Sequence, residues 1–279
     1  MLQLNNVSYS YRKGEKALDS INVTVPSGLH LLLGENGAGK TTLLHIIAGL
    51  RFPETGECLV DGVDTSLRSP ATLSKICIMA DDTMFPASSI NEMAQRCSDF
   101  YPRFSPDVLR QCLDAFGMTG YEKLAHMSLG NRKKAQLAYV LALQTDILLL
   151  DEPANGLDIS SRQILLELLG RFIHPEQTVI ISTHVVWDFM NLIEGVMVIN
   201  RGKMLTAMST WDITRRLAFV TDRLPVENAL YSTQLQGLFH AILPADPENP
   251  TNLDFLLLYS ALHSPSSESI LSILNAEQS

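Results

Sequence analysis

Residues Gly34 to Thr41 read Gly-Glu-Asn-Gly-Ala-Gly-Lys-Thr, a spacing of residue types suited to holding phosphate. Phosphate oxygens need many donors. A turn built on Gly34, Gly37 and Gly39 can aim backbone N–H groups, including those of Glu35, Asn36 and Ala38, into one concavity. Lys40 is placed to reach the β- and γ-phosphates of a nucleotide, the Thr41 hydroxyl to ligate Mg²⁺, and Thr42 to make a second phosphate contact. A second run, Ile147 to Glu152, ends in two acids. Asp151 is placed to hold Mg²⁺, and Glu152 to polarise an attacking water as general base.

These groups work only if particular elements carry them. Leu29 to Leu33 is a continuous apolar run, predicting a buried strand. Thr42 to Leu50 is apolar at helical spacing. The phosphate-binding turn therefore lies between a strand and a helix, whose N-terminus adds partial positive charge. Ile76–Met79, Ile147–Leu150 and Thr178–Ser182 are similar short apolar runs, fitting strands covered on both faces of a parallel sheet. In such sheets ligands bind beyond the carboxyl ends of the strands, where Asp151 and Glu152 fall. Leu2–Val7 and Ile21–Val25 alternate and predict two antiparallel strands, joined through turn material at Arg12-Lys13-Gly14-Glu15. Val196–Ile199 and Met204–Ala207 predict a hairpin.

The reading is an α/β protein: a P-loop NTPase core of mainly parallel sheet, an antiparallel N-terminal subdomain, a helical insertion and a small C-terminal appendage. Residues 1–208 are expected to form the nucleotide-binding unit, with a helical subdomain at about 86–143. Residues 209–279 form the appendage, with helices expected near Ala229–Ile242 and Leu253–His263.

Asp151-Glu152-Pro153-Ala154-Asn155-Gly156-Leu157-Asp158 resembles the joined Walker B motif and D-loop of ATP-binding cassette (ABC) ATPases. Met127-Ser128-Leu129-Gly130-Asn131 stands where that family carries its Leu-Ser-Gly-Gly-Gln signature, and Ser182-Thr183-His184 where it carries its switch histidine. The resemblance covers roughly residues 2 to 208. It implies ATP and Mg²⁺ as ligands, Tyr11 (with Tyr9 as second candidate) stacking on adenine, and His184 on the γ-phosphate and the attacking water. It also implies Ser128 and Gly130 presented to ATP on a second ABC ATPase subunit, in a homodimer or heterodimer. The implied function is the ATP-hydrolysing subunit of a transporter, driving a separate membrane-spanning permease from the cytoplasmic face of the membrane. The altered signature and the appendage are more similar to bacterial exporter-type (ABC-2-like) subunits. The stretch Met84-Phe85-Pro86 to Asn91-Glu92 resembles the segment that meets the membrane partner.

Two motifs depart from the family pattern. Leu129 and Asn131 replace Gly and Gln in the signature, and Leu129 adds bulk where backbone meets phosphate. After Ile76–Met79, where the family has a metal-contacting glutamine, stands Asp81 or Asp82. A carboxylate there can ligate Mg²⁺, but it adds negative charge near a polyphosphate.

The 279 residues carry a net charge of -9, which argues against nucleic acid as a partner. The four cysteines are scattered and read as free thiols rather than a metal site. Met1 leads directly into Leu2, Leu4 and Val7, so no signal peptide is visible, and no apolar run approaches the roughly 20 residues that cross a bilayer. A DNA-repair or translation ABC ATPase would need coiled-coil inserts or tandem cassettes, which are absent. A regulatory module that hydrolyses poorly is opposed by Glu152 and His184.

Overall fold

The computed structural model describes residues 1–12, 14–81, 85–246 and 248–276. Asp82 and Met84, named above, lie outside them, as do Lys13 of the first turn and Pro247. The chain opens with β1 (Leu2–Arg12) and β2 (Glu15–Val25), which pair antiparallel from Leu2–Val25 to Arg12–Glu15. Then β3 (Gly28–Leu33), buried along its whole length, leads through the glycine turn into α1 (Lys40–Ile47). Two strands the sequence reading did not anticipate, β4 (Thr55–Val60) and β5 (Val63–Asp64), complete a four-stranded antiparallel sheet, order β2-β1-β4-β5. Their polar residues and turn glycines mask the alternation.

A short helix, α2 (Pro70–Leu73), precedes β6 (Ile76–Met79). The helical insertion holds α3 (Ile90–Cys97), α4 (Pro106–Ala115) and α5 (Leu129–Ala142), capped by the side chains of Ser89, Ser105 and Ser128. The chain returns to the sheet through β7 (Ile147–Asp151), α6 (Ile159–Phe172), β8 (Thr178–Ser182), α7 (Val186–Phe189), β9 (Gly195–Asn200) and β10 (Lys203–Ser209). The six-stranded sheet runs β10-β9-β3-β8-β7-β6, with β10 as its antiparallel edge. Parallel strands need crossovers, and these supply the helices that cover the sheet.

Beyond the sheet lie α8 (Thr210–Thr214), β11 (Leu217–Asp222), β12 (Tyr231–Leu235), β13 (Leu238–Pro244), α9 (Phe255–Leu262) and α10 (Ser267–Leu274). The helix expected over Ala229–Ile242 is instead the hairpin β12–β13, in a three-stranded sheet ordered β11-β13-β12. Gln236 and Gly237, both at positive φ (52 and 83°), form its two-residue turn. Ile242, Phe255, Leu258 and Ile270 belong to the same buried cluster as Leu31, Val198 and Phe189, so the core runs on into residues 209–276. All four cysteines are free. Burial pushes the Cys58, Cys77 and Cys112 thiols up to about 12, leaving them as inert core residues.

Candidate active site at the carboxyl ends of β3, β7 and β8

Gly39 caps α1 at φ 110°, and a Cβ there would lie 2.6 Å from the Ala17 carbonyl oxygen; one at Gly34 would lie 2.5 Å from that of Ile199. Close packing of the loop against β2 and β9 therefore demands these glycines before any phosphate arrives. The loop opens on a cleft of about 780 Å³ whose lining includes Tyr11, Lys40, Thr41, Asp151, Glu152 and His184. Glu35, Asn36 and Thr42 also line it.

Lys40 is buried, and its ammonium donates to the carbonyl oxygens of Gly34 (2.6 Å) and Glu35 (3.1 Å). Burial holds its pKa below the ordinary lysine value, while Glu152 and Asp151 pull it back up. The Thr41 hydroxyl donates to Asp151 Oδ2 at 2.7 Å. A hydroxyl and a carboxylate oxygen converging at the head of α1 fit a hard cation shared with phosphate oxygens. Among the described residues no three His, Cys, Asp or Glu side chains cluster to hold a metal without such help.

Glu152 takes a left-handed conformation (φ 49°), with its N–H donating to the Ser182 carbonyl at 2.7 Å. Left-handed backbone in a non-glycine residue is costly and recurs where a side chain must be aimed. His184 Nε2 lies 3.3 Å from Glu152 Oε1 and 3.2 Å from Asn36 Oδ1, and its N–H donates to Glu152 Oε2 at 3.3 Å. The histidine after β8 thus joins the acid after β7 to the phosphate loop.

Tyr11 stands at the rim, its hydroxyl 2.8 Å from Thr42 Oγ1. The Arg51 guanidinium lies over its ring, 4.6 Å from the centroid, and also donates to Tyr9 OH at 2.9 Å. Arg51 was missed in the sequence, because nothing local marks a cation four residues beyond α1 as the backing of a tyrosine 40 positions earlier.

Asp81 lines the cleft, and both its oxygens are engaged. Lys133 lies 3.0 Å from Oδ1, and Asn155 Nδ2 lies 3.2 and 3.1 Å from Oδ1 and Oδ2. Lys133 stands in the short basic run Arg132-Lys133-Lys134, and its one sequence signal is an acid at 81 in need of a counter-charge.

Ser128 and Gly130 do not line this cleft. Ser128 Oγ caps α5 by accepting from the Asn131 N–H at 3.3 Å. A Cβ on Gly130 would stand 2.7 Å from the Gly156 carbonyl, so the signature glycine lets α5 meet the D-loop of its own chain. Leu129 is 65% exposed and leans on Gly156.

Residues 18–155 match the family described as ABC transporter. A putative ABC transporter ATP-binding protein of Clostridium acetobutylicum is 32% identical over 218 residues, covering 73% of this chain and 77% of that protein. The energy-coupling factor transporter ATP-binding protein EcfA of Methanothermobacter thermautotrophicus is 32% identical over 235 residues, 77% of this chain and 73% of that one. Among solved structures, a dimeric ATP-binding cassette in a post-hydrolysis state with ADP and Pi superposes with TM-score 0.64 at 24% identity, over 75% of this chain and 98% of that one. A putative cobalt transport ATP-binding protein does so with TM-score 0.67 at 21% identity, over 97% and 100%. The structural likenesses establish the fold, and the sequence identities, sustained over most of the chain, establish kinship: the protein belongs to the ABC transporter family and carries its ATP-binding domain.

Proposed function

We propose that the chain binds ATP with Mg²⁺, hydrolyses it to ADP and phosphate, and thereby drives a separate membrane-spanning subunit, as an exporter, from the cytoplasmic face of the membrane. The observation that carries the reading is the meeting of Lys40, Thr41, Asp151, Glu152 and His184 in one cleft, with Thr41 and Asp151 2.7 Å apart. Lys40 would leave its two loop carbonyls for the phosphates. Thr41 and Asp151 would hold Mg²⁺, which when bound neutralises charge on the β- and γ-phosphates. Glu152 accepts the proton of the attacking water, and His184, between Glu152 and Asn36, orients water and γ-phosphate. Ser128 and Gly130, outside their own cleft, complete the site of a second ABC ATPase subunit, identical or closely related.

Tyr11 is the platform for adenine, backed on one ring face by Arg51. Tyr11→Ala should weaken ATP binding about tenfold, the scale of one base–aromatic stack. Tyr11→Phe should stay near the parent, and titration with a fluorescent nucleotide separates the two.

Two features support the membrane partner. No helix among the described residues is long and apolar enough to cross a membrane. A cleft of about 360 Å³ between the core and the helical insertion is lined by Leu50, Ile78, Phe85, Met93, Phe100 and Tyr139, with Phe100 70% exposed. Such a lining fits an apolar helix end. Leu129, Asn131 and residues 209–276 support export. Uptake is the second reading, because the fold shared with a cobalt transport ATP-binding protein takes in 97% of the chain, and with it most of residues 209–276, the segment read as exporter-like. The test is co-expression with any membrane protein that a neighbouring reading frame encodes. The two should purify together in detergent, and Phe100→Asp should release the partner while ATP binding persists. Absence of any complex defeats the membrane role, and transport in right-side-out against inverted vesicles decides direction.

A further inference from the structure

Lys133 sits one turn into α5, only 2% exposed, with its ammonium on Asp81. Lysine is almost never this buried without a partner. The partner faces the other way: the Asp81 side chain is 51% exposed and lines the nucleotide cleft, which Lys133 does not reach. Asn155 of the D-loop donates to both oxygens of the same carboxylate. Three segments distant in sequence therefore meet on one side chain: the end of β6, the signature helix and the loop after Glu152. Two more contacts tie that loop to α5, the Gly130–Gly156 approach and Lys134 Nζ at 3.8 Å from Asp158 Oδ2.

Charge gives the arrangement its purpose. Asp81, Asp151 and Glu152 all line the space a triphosphate would enter, and Asp151 and Glu152 are already matched there by Lys40 and the cation the phosphates would bring. Asp81 takes its counter-charge from outside that lining, from Lys133 inside the helical insertion.

We propose that Lys133 is a positioning residue of the ATPase site: it neutralises Asp81 and holds that carboxylate on Asn155, so that the helical insertion sets both the charge of the cleft and the place of the D-loop. This rests on the nucleotide-hydrolysing reading above. Asp81 then serves as an anchor, with its oxygens committed to Lys133 and Asn155, and any movement of α5 is transmitted to the loop that follows Glu152.

The test compares Lys133→Met, Asp81→Asn and the double variant with the parent, reading nucleotide affinity, turnover and melting temperature. Lys133→Met keeps the stem and strands a carboxylate beside the triphosphate, so the ATP Kd should rise about tenfold or more, and the ADP Kd less, because the γ-phosphate is absent. Asp81→Asn added to Lys133→Met should recover most of that affinity; a purely packing role for Lys133 allows no such rescue. Asp81→Asn alone leaves a buried ammonium unpaired and should melt below both the parent and the double variant. Parent-like ATP affinity in Lys133→Met, a loss that Asp81→Asn does not relieve in a variant melting like the parent, or a double variant melting no higher than Asp81→Asn alone, each overturns the proposal. If Lys133→Met does not fold, the melting comparison of the other two decides. A parent chain that neither binds nor hydrolyses ATP defeats the functional reading instead, while that melting comparison still judges the pair.

Discussion

Lys40→Ala should bind ATP at least about a hundredfold more weakly than the parent, because two charge-assisted contacts at roughly 1.5–3 kcal/mol each are lost together. Lys40 is buried at the head of α1, and its ammonium is held by the Gly34 and Glu35 carbonyls, at 2.6 and 3.1 Å. It is therefore already desolvated and aimed along the loop before phosphate arrives. The charge that burial disfavours is the charge the phosphates would stabilise. In the nucleotide-free chain the bonds to Gly34 and Glu35 mainly offset the cost of burying the ammonium, so the variant should melt close to the parent. Isothermal titration with ATP and Mg²⁺ checks the affinity, and tight binding by a folded Lys40→Ala would remove the phosphate-loop assignment.

Glu152→Gln should separate binding from turnover. The amide keeps the shape, and its oxygen can still accept from the His184 N–H as Glu152 Oε2 does at 3.3 Å. What it loses is the ability to take a proton from water, worth about 10²- to 10⁴-fold in rate. ATP affinity should stay within a few-fold of the parent by the same titration, while steady-state phosphate release falls through that range. With hydrolysis stalled, size-exclusion chromatography in ATP and Mg²⁺ should show a dimer that ADP does not support. Parent-like turnover in this variant would mean that another group is the base.

Much of this site is written in short stretches of chain. Gly34 to Thr41 needs only its own strand and helix to become a loop, and Ile147 to Glu152 only one buried strand to set two acids at its end. The six-stranded sheet was legible for the same reason, since continuous apolar runs such as Leu29–Leu33 can be satisfied only by burial on both faces. The appendage was not. Leu230 to Ile242 carries enough apolar residues for either period, and what decides for a hairpin is the positive-φ turn at Gln236-Gly237 together with pairing to β11, a partner distant in sequence.

At position 81 sequence and structure point in opposite directions. Read locally, Asp81 is an acid where a glutamine would suit a polyphosphate better, so Asp81→Gln should raise turnover or leave it unchanged. In the folded chain Lys133 is buried against that acid, and the same substitution strands an ammonium in the insertion. Gly130 shifts in a similar way: the approach it permits within its own chain is to the Gly156 carbonyl.

The amino-acid order by itself determined the family, the sheet and the residues proposed to handle phosphate, because each depends on contacts a few residues apart or on the burial of a single run. Tertiary structure alone decided how those residues are held: Arg51 behind Tyr11, His184 between Glu152 and Asn36, Lys133 beneath Asp81. These are pairings of charge and ring across long stretches of chain, and a side chain's counterpart at that range is chosen by packing, which no local pattern records.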